Sequence, residues 1–206
     1  MTVLASQNWQ IKIMEDVVCK ELSEMTLEEL WELFPIFLVE HREKWNDDYK
    51  EIKSELQQLL SDCHSPRINH VGSTALSGIW AKNIVDVLVE FPKSEDIENV
   101  AEIMSRNGFI VMSADMRRIS LNKGYTKEGF ADKVYHVHLR YVGDNDELYF
   151  RDYLKEHQDV AKEYEALKLR LWKKYEHNRD AYTDAKADFI RHWTQEARKK
   201  YGDRYC

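Results

Sequence analysis

The residues that could perform chemistry begin with Gly72 and Ser73, which stand between two apolar runs. The second run carries Asp86, Leu88 and Glu90, and their spacing of two places all three side chains on one face of a strand. A Gly–Ser turn lets backbone N–H groups close around a phosphate, and a nearby carboxylate can hold a metal ion bound to that phosphate. The pattern predicts a phosphate site at Gly72 and Ser73, a catalytic and metal-binding role for Asp86, and a catalytic role for Glu90.

Each of these residues also has a structural interpretation. The glycine–serine pair could form only a tight turn, since glycine tolerates positive φ and serine caps helices. Asp86 stands between two valines, where an uncompensated carboxylate is costly, so an ion pair with Lys82 or Arg140 would explain it. Glu90 stands near the end of the strand and could be solvated.

A second polar strand face is predicted over residues 134–142, where side chains alternate sharply. His136, His138 and Arg140 share one of its faces. Two histidines at this spacing can bind a transition metal, a phosphate or a proton in transit, and the alternative is a pair of hydrogen-bonded core residues. We expect His136 and His138 to join Asp86 as metal ligands, and His138 to be a further catalytic candidate.

Basic residues supply charge for an anion site, because residues 117–142 hold more basic than acidic side chains. Lys82 precedes the strand that carries Asp86, and Lys186 lies in the last predicted helix. We expect Lys82, Arg140 and Lys186 to neutralise phosphate charge. For Lys186, a solvated helix face is an equally simple interpretation.

The elements that must position these residues form an α+β core followed by helices alone. Periodicity predicts strands over 36–39, 67–71, 84–91, 109–112, 117–121 and 134–142, with a loop over 123–129. Capping patterns predict helices after Thr26, Asn46 and Ser94. Helices are also predicted over 148–156, 160–175 and 179–200. We therefore expect a tail or docking segment over 1–25, the α+β core over 26–143, and a helical portion packed on that core over 144–206.

Composition limits the class of protein. The chain of 206 residues has 43% hydrophobic and 12% aromatic residues, which is typical of a folded protein, and a net charge of −7 argues against general nucleic-acid binding. Its 3 cysteines are far apart and suggest neither a disulfide framework nor a cysteine metal site. No secretion signal is recognised and no run approaches the roughly 20 apolar residues of a membrane span. We expect a cytoplasmic protein without a membrane partner.

Five blocks of the sequence resemble the GrpB family. In chain order they are residues 70–82 (His-Val-Gly-Ser-Thr-Ala-Leu-x-Gly-Ile-x-Ala-Lys), 84–89, 135–138, 150–154 and 182–186. The resemblance extends from about Trp31 to near the last residue. It departs from the family at Ser77 and Asn83, two loop positions where proline is frequent. That family is similar in fold to the nucleotidyltransferases, so the resemblance implies a nucleotidyltransferase-like mixed β-sheet with flanking helices.

The resemblance also shows a departure from active nucleotidyltransferases, whose strand carries acidic-x-acidic with a third carboxylate on a later strand. Here Leu88 takes the second acidic position, and a histidine takes the third kind of position. Two-metal transfer needs convergent carboxylates. The resemblance implies binding of a nucleotide or phosphorylated small molecule. It also allows metal-dependent nucleotidyl transfer, for which the divalent ion would be Mg²⁺ or Mn²⁺ rather than Zn²⁺. An inactive ligand-binding module or a protein-interaction domain on the same fold is the alternative.

Overall fold

A five-stranded mixed sheet with helices on both faces organises residues 20–205, the part of the chain that the computed structural model describes. The helices are α1 (Leu27–Leu33), α2 (Lys44–Leu59), α3 (Ile97–Arg106), α4 (Asp146–Glu156), α5 (Gln158–Tyr175) and α6 (Arg179–Tyr201), with short 3₁₀ turns at Leu22–Glu24 and Ser73–Ala75. The strands are β1 (Leu38–Val39), β2 (Arg67–Val71), β3 (Ala81–Lys82), β4 (Val85–Phe91), β5 (Ile110–Ala114), β6 (Arg118–Thr126) and β7 (Gly129–Tyr141). Most of the predicted tail, residues 1–19, lies outside the described part.

The strand order in the sheet is β2-β4-β7-β6-β5. The neighbours β4 and β7 run parallel, and every other pair in this sheet is antiparallel. The strands β1 and β3 pair separately as a two-stranded antiparallel ribbon. The sequence expectation of a mixed α+β architecture is confirmed.

One face of the sheet forms the main apolar core. Val85, Val87, Val89 and Phe91 alternate along β4 and pack with the apolar stripes of α2 and α3. In α3 that stripe is Ile97, Val100, Ala101 and Met104, at the three- and four-residue spacing of one helix face. Burial of this face accounts for the uninterrupted apolar character of alternate β4 positions.

The opposite face is polar and is covered in part by the C-terminal helices. Register places Asp86 beside His136 and Leu88 beside His138 on the parallel neighbours β4 and β7. Leu88 is completely buried and packs against Leu148 of α4. This contact joins the α+β core to the helical portion, whereas the predicted division at residue 143 stays a prediction.

Local details correct three sequence expectations. Helix α2 begins at Lys44 rather than after Asn46. Asp96 caps α3 in place of Ser94, because its Oδ1 accepts hydrogen bonds from the backbone N–H groups of residues 98 and 99. The predicted loop over 123–129 is mostly strand: β6 continues to Thr126 and a tight connection leads directly into β7. The polar residues of this segment lie at the exposed end of a β-hairpin. Side-chain alternation alone does not distinguish such a hairpin end from a loop.

None of the helices within residues 20–205 combines the length and apolar character needed to cross a bilayer. The predicted cytoplasmic location stays a prediction.

Candidate anion-binding site

A cavity of about 330 Å³ lies between the polar face of the sheet and the C-terminal helices. Five of the predicted site residues line it: Gly72, Ser73, Lys82, Asp86 and Lys186. Helices α5 and α6 add the side chains Tyr164, Lys168, Tyr182, Ile190 and Thr194. The tertiary structure thus brings together residues that are up to about half the chain apart. We call this space the lysine cavity.

Gly72 and Asp86 are in close contact at one wall of the lysine cavity. Gly72 has φ +69° and ψ −169°, a conformation that residues with a side chain rarely adopt. A Cβ built there would lie 2.2 Å from Oδ2 of Asp86. Glycine is therefore required at this turn both for its backbone conformation and to leave room for the carboxylate.

The other oxygen of Asp86 belongs to a chain of hydrogen bonds. Arg179 Nη2 donates to the Tyr125 hydroxyl at 2.8 Å, and that hydroxyl lies 2.9 Å from His136 Nε2. His136 Nδ1 lies 3.2 Å from Asp86 Oδ1. Because the guanidinium can only donate, the chain is satisfied when Tyr125 donates to Nε2 and His136 carries its proton on Nδ1.

His138 approaches the same carboxylate oxygen less closely. Its Nε2 lies 3.8 Å from Asp86 Oδ1, and its Nδ1 lies 3.2 Å from the Ser120 hydroxyl. Burial raises the pKa of Asp86, but the two histidines outweigh it and hold this pKa well below the usual range of a carboxyl. Burial lowers the pKa of His136 to about 4 despite Asp86 beside it. At neutral pH, Asp86 is consequently an anion and His136 a neutral donor.

Three lysines share the lining of the lysine cavity with the ionised carboxylate of Asp86. Burial, with Arg179 and Lys186 adding repulsion, lowers the pKa of Lys82 to about 7. Burial and Lys186 likewise lower the pKa of Lys168 to about 7. Burial lowers the pKa of Lys186 to about 8, although Asp86 opposes the shift. The cluster holds more positive charge than its surroundings neutralise, which favours binding of an anion.

Two other carboxylates on the lining have partners of their own. Asp146 Oδ1 lies 2.5 Å from Nε of Arg198, and Glu147 Oε1 lies 3.9 Å from Nη2 of Arg140. Both belong to the first turn of α4. Their charges are compensated by arginines, so Asp86 remains the carboxylate that faces the lysines.

Hydroxyl groups complete the polar lining. The Ser73 side chain hydrogen-bonds to the Tyr164 hydroxyl, and burial raises the pKa of Tyr164 far above its ordinary value. Tyr164 is thus a neutral phenol that can donate to an anion. The Lys168 amine also donates to the backbone carbonyl of Trp80, which fixes the buried end of that side chain.

Glu90 and Arg140 do not line the lysine cavity, although they share the polar face with Asp86. Glu90 is 1% exposed, and its Oε1 accepts a hydrogen bond from Asn145 Nδ2 at 2.9 Å. Arg140 Nη1 donates to the backbone carbonyls of Ile119 and Leu139 at 3.2 and 2.8 Å. These contacts hold the loop before α4 and the neighbouring strand. The predicted site roles of Glu90 and Arg140 gain no support from this placement.

The donor set does not fit a metal ion. Both ring nitrogens of His136 are engaged, one with Asp86 and the other with Tyr125. Leu88 is sealed under Leu148 at the position where a second carboxylate would be needed. Among residues 20–205, no three histidine, cysteine or acidic side chains are grouped as metal ligands. The predicted metal role of Asp86, His136 and His138 stays a prediction, and we derive no step through a metal.

Sequence reasoning missed Lys168, the most deeply buried member of the cluster. It occupies the apolar stripe of α5 with Ala161, Tyr164 and Leu171, at spacings of three and four. A lysine on a buried stripe is rare unless it is paired or functional. A lysine at a position of the apolar helix face could have indicated a buried functional side chain. The many other charged residues of this helix made that single lysine hard to recognise.

The lysine cavity occurs in a chain with recognisable relatives. The family model described as GrpB protein matches residues 35–196. The glutamate-rich protein GrpB of Alkalihalophilus pseudofirmus is 33% identical over 164 residues, covering 75% of this chain and 91% of that protein. The UPF0157 protein YqkA of Bacillus subtilis is 28% identical over 176 residues, covering 82% of this chain and 50% of that protein.

Solved structures agree with these relatives. The crystal structure of the conserved protein GrpB from Enterococcus faecalis superposes with a TM-score of 0.68 and 28% identity, covering 80% of this chain and 99% of that one. A chain of the GLD-2/RNP-8 complex has a TM-score of 0.51 and 14% identity over 81% of this chain and 68% of that one, a likeness of fold alone. The fold is nucleotidyltransferase-like, as the sequence predicted. The chain belongs to the GrpB family.

Proposed function

We propose that this protein binds a phosphorylated small molecule, with a nucleotide as the leading candidate, in the lysine cavity. The observation that carries the proposal is the convergence of Lys82, Lys168 and Lys186 on one cavity, where Asp86 is the one lining carboxylate without an arginine partner among the described residues. Mutual repulsion and burial work against three protonated amines in this space. A polyphosphate would relieve that repulsion and restore the ordinary pKa values of the amines.

The lining around the lysines suits phosphate oxygens. Ser73 and the neutral phenol of Tyr164 supply hydroxyl donors next to the amines. Gly72 allows the backbone to approach the ligand closely, since it carries no side chain. Asp86 limits how deeply a fully ionised phosphate can enter, because like charges repel.

Ligand binding is better supported than two-metal nucleotidyl transfer. Transfer of that kind uses carboxylates that clamp the attacking and leaving oxygens. Here Leu88 is buried against Leu148, and Glu90 is held by Asn145 away from the lysine cavity. Only Asp86 of the three predicted carboxylate or histidine catalysts lines the cavity.

A purely protein-interacting role has less support. Such a role would be favoured if Asp86, His136 and His138 were fully buried, mutually hydrogen-bonded and remote from any cleft. They do contact one another, yet their side chains keep 28%, 14% and 24% exposure, and Asp86 lines the lysine cavity. The polar face therefore has space for a ligand.

The direct experiment is calorimetric titration of the full chain with tripolyphosphate and with ATP, in the presence of a chelator. We expect both to bind, and we expect Lys186→Met to weaken binding by about tenfold, the loss of one charge-assisted hydrogen bond. Lys199→Met is the matched control, because Lys199 lies on the same helix, is exposed and pairs with Glu196. Absence of binding by both ligands, or equal losses in both variants, would refute the proposal.

A second titration separates direct binding from metal bridging. Asp86→Asn removes a negative charge from the lysine cavity, so chelator-treated protein should bind tripolyphosphate more tightly. If Asp86 instead holds a bridging Mg²⁺ or Mn²⁺, the same variant should lose affinity for the metal–ATP complex. Chromatography of ATP after prolonged incubation with an acceptor mixture and either metal shows whether transfer occurs, and turnover abolished by Asp86→Asn would replace the binding proposal with an enzymatic one.

A further inference from the structure

A second cavity, of about 710 Å³, lies on the other side of the contact between Asp86 and His136. Its floor is the polar face of β6 and β7, and its walls come from α1, β5 and the first turn of α6. Ser120, Asn122, His136 and His138 form the floor, in two directly opposed pairs across the strands. We call this space the second groove. It shares the Asp86–His136 contact with the lysine cavity as a common wall.

Asn122 is the unusual residue of this floor. Asn122 is 6% exposed and lines the second groove, where its polar atoms are not sealed from solvent, and its carboxamide has no hydrogen-bond partner within residues 20–205. The neighbouring floor residues are engaged: Ser120 with His138, and His136 with Tyr125. An amide that faces a groove and is not engaged by a neighbouring residue is available to a ligand.

Two walls of the second groove, those from α1 and β5, are apolar and aromatic, whereas Arg179, Asp180 and Thr183 of α6 make a third side polar. Trp31 of α1 and Phe34, which follows that helix, stand on one side, and Val111 and Met112 of β5 stand on another, with 42% and 54% exposure. Apolar surface around a polar floor suits a flat ring that has polar atoms on one edge. A sugar or a bare phosphate has no apolar surface large enough to pack against these walls.

We propose that the second groove binds a nucleobase through the side chain of Asn122. The carboxamide oxygen would accept from an exocyclic amine or ring N–H, and the amide nitrogen would donate to the adjacent ring nitrogen or carbonyl. Nucleobases carry such adjacent donor and acceptor atoms, and asparagine is suited to both at once. This inference deepens the proposed function by naming the class of heterocycle, and it rests on that function only for the phosphate part of the ligand.

The test uses two nucleosides that differ by one exocyclic amine, adenosine and purine riboside. Calorimetric titration of the full chain should show tighter binding of adenosine. Asn122→Leu should weaken adenosine binding by about tenfold, and it should leave the affinity for purine riboside nearly unchanged. Asn99→Leu is the matched control, because Asn99 is exposed on α3 across the sheet from the second groove. This control should bind both nucleosides as the unaltered chain does.

Stability supplies an independent readout. Asn122→Leu replaces an amide that has no hydrogen-bond partner within residues 20–205 by an apolar side chain of similar size, so its melting temperature should stay close to that of the unaltered chain. If that variant fails to fold, Asn122→Asp keeps the size and removes the donor, and it should also reduce adenosine binding. Equal binding of the two nucleosides by the unaltered chain, or no binding of any nucleoside, would overturn the inference.

Tripolyphosphate distinguishes failure of the inference from failure of the proposed function. If tripolyphosphate binds and depends on Lys186 while no nucleoside binds, the lysine cavity stands and the nucleobase assignment is wrong. If adenosine binds through Asn122 while tripolyphosphate does not bind, the nucleobase assignment stands and the phosphate site is wrong.

Discussion

A side chain at Gly72 would occupy the same space as the carboxylate of Asp86, since its Cβ would lie 2.2 Å from Oδ2. The two residues are 14 positions apart in the chain, and the strands that carry or precede them pair directly, with Val71 opposite Asp86. Gly72 thus contributes to the binding site because its missing side chain leaves room for the carboxylate of Asp86. It also fixes where the Asp86 carboxylate can stand.

Gly72→Ala is expected to destabilise the protein by more than backbone strain alone. The substitution forces a side chain into a left-handed conformation, at a cost of about 1–3 kcal/mol, and also displaces Asp86. Gly78→Ala is the control, because Gly78 has a similar φ of +72° and nothing within 4 Å of an added Cβ. Urea unfolding of both variants should show the larger loss for Gly72→Ala. Equal losses would mean that the contact with Asp86 does not matter.

Leu88→Asp is expected to fail as a restoration of the missing carboxylate. Leu88 is completely buried between Val71 and Leu148, so an unpaired charge there should reduce the free energy of unfolding by about 3–5 kcal/mol. Leu88→Met keeps the volume and should cost less than about 1.5 kcal/mol. Denaturant unfolding measures both. A stable Leu88→Asp protein with metal-dependent transfer activity would contradict the role of Leu88 as core.

Glu90 is expected to behave as a structural residue. Glu90→Gln retains an oxygen for the hydrogen bond from Asn145, so the free energy of unfolding should change by about 1 kcal/mol or less. Glu90→Ala removes the acceptor and should cost about 1–3 kcal/mol. Neither variant should alter tripolyphosphate affinity, which calorimetry checks. A selective loss of affinity in Glu90→Gln, with stability intact, would place Glu90 in the binding site after all.

Phosphate binding is expected to weaken as pH rises from about 6 to 9. The pKa values of Lys82 and Lys168 are lowered to about 7 and that of Lys186 to about 8, so the amines lose their charge across this range. Binding near pH 7.5 should therefore take up protons, which titrations in two buffers of different ionisation enthalpy measure. A pH-independent affinity without proton uptake would show that these amines do not meet the ligand.

The same lysines should affect the stability of the ligand-free protein in the opposite direction. Their pKa is lower in the folded than in the unfolded chain, so the unfolded chain binds more protons between about pH 7 and 10. Their unfavourable contribution is fully present below pH 7 and is lost as pH rises through that range. Lys186→Met should reduce this dependence in unfolding experiments.

Periodicity and motifs predicted the elements of the site well. Alternation along residues 134–142 correctly placed His136, His138 and Arg140 on one face of β7. The capping pattern from Thr26 to Glu29 correctly predicted the start of α1. These features depend on neighbouring residues and on the two-residue period of a strand, which the sequence states directly.

The sequence pattern could not predict which residues on one face of a strand reach the lysine cavity. Asp86 and Glu90 point in the same direction from β4, yet only Asp86 meets the lysine cavity. The difference arises because α4 and the loop before it cover the far end of the strand, where Leu148 seals Leu88 and Asn145 holds Glu90. A local pattern has no information on where a distant helix lies.

The sequence by itself determined the family, the α+β architecture and the polar faces that carry Asp86 and His136, because short-range periodicity and ordered motifs encode them. Tertiary structure alone decided which charged residues meet. It brought Lys168, hidden in a helical stripe, next to Lys82 and Lys186, and it placed the side chain of Asn122 on the floor of the second groove. The physical reason is that charge, burial and cavity shape at the site result from packing helices α4 to α6 onto a sheet formed far earlier in the chain.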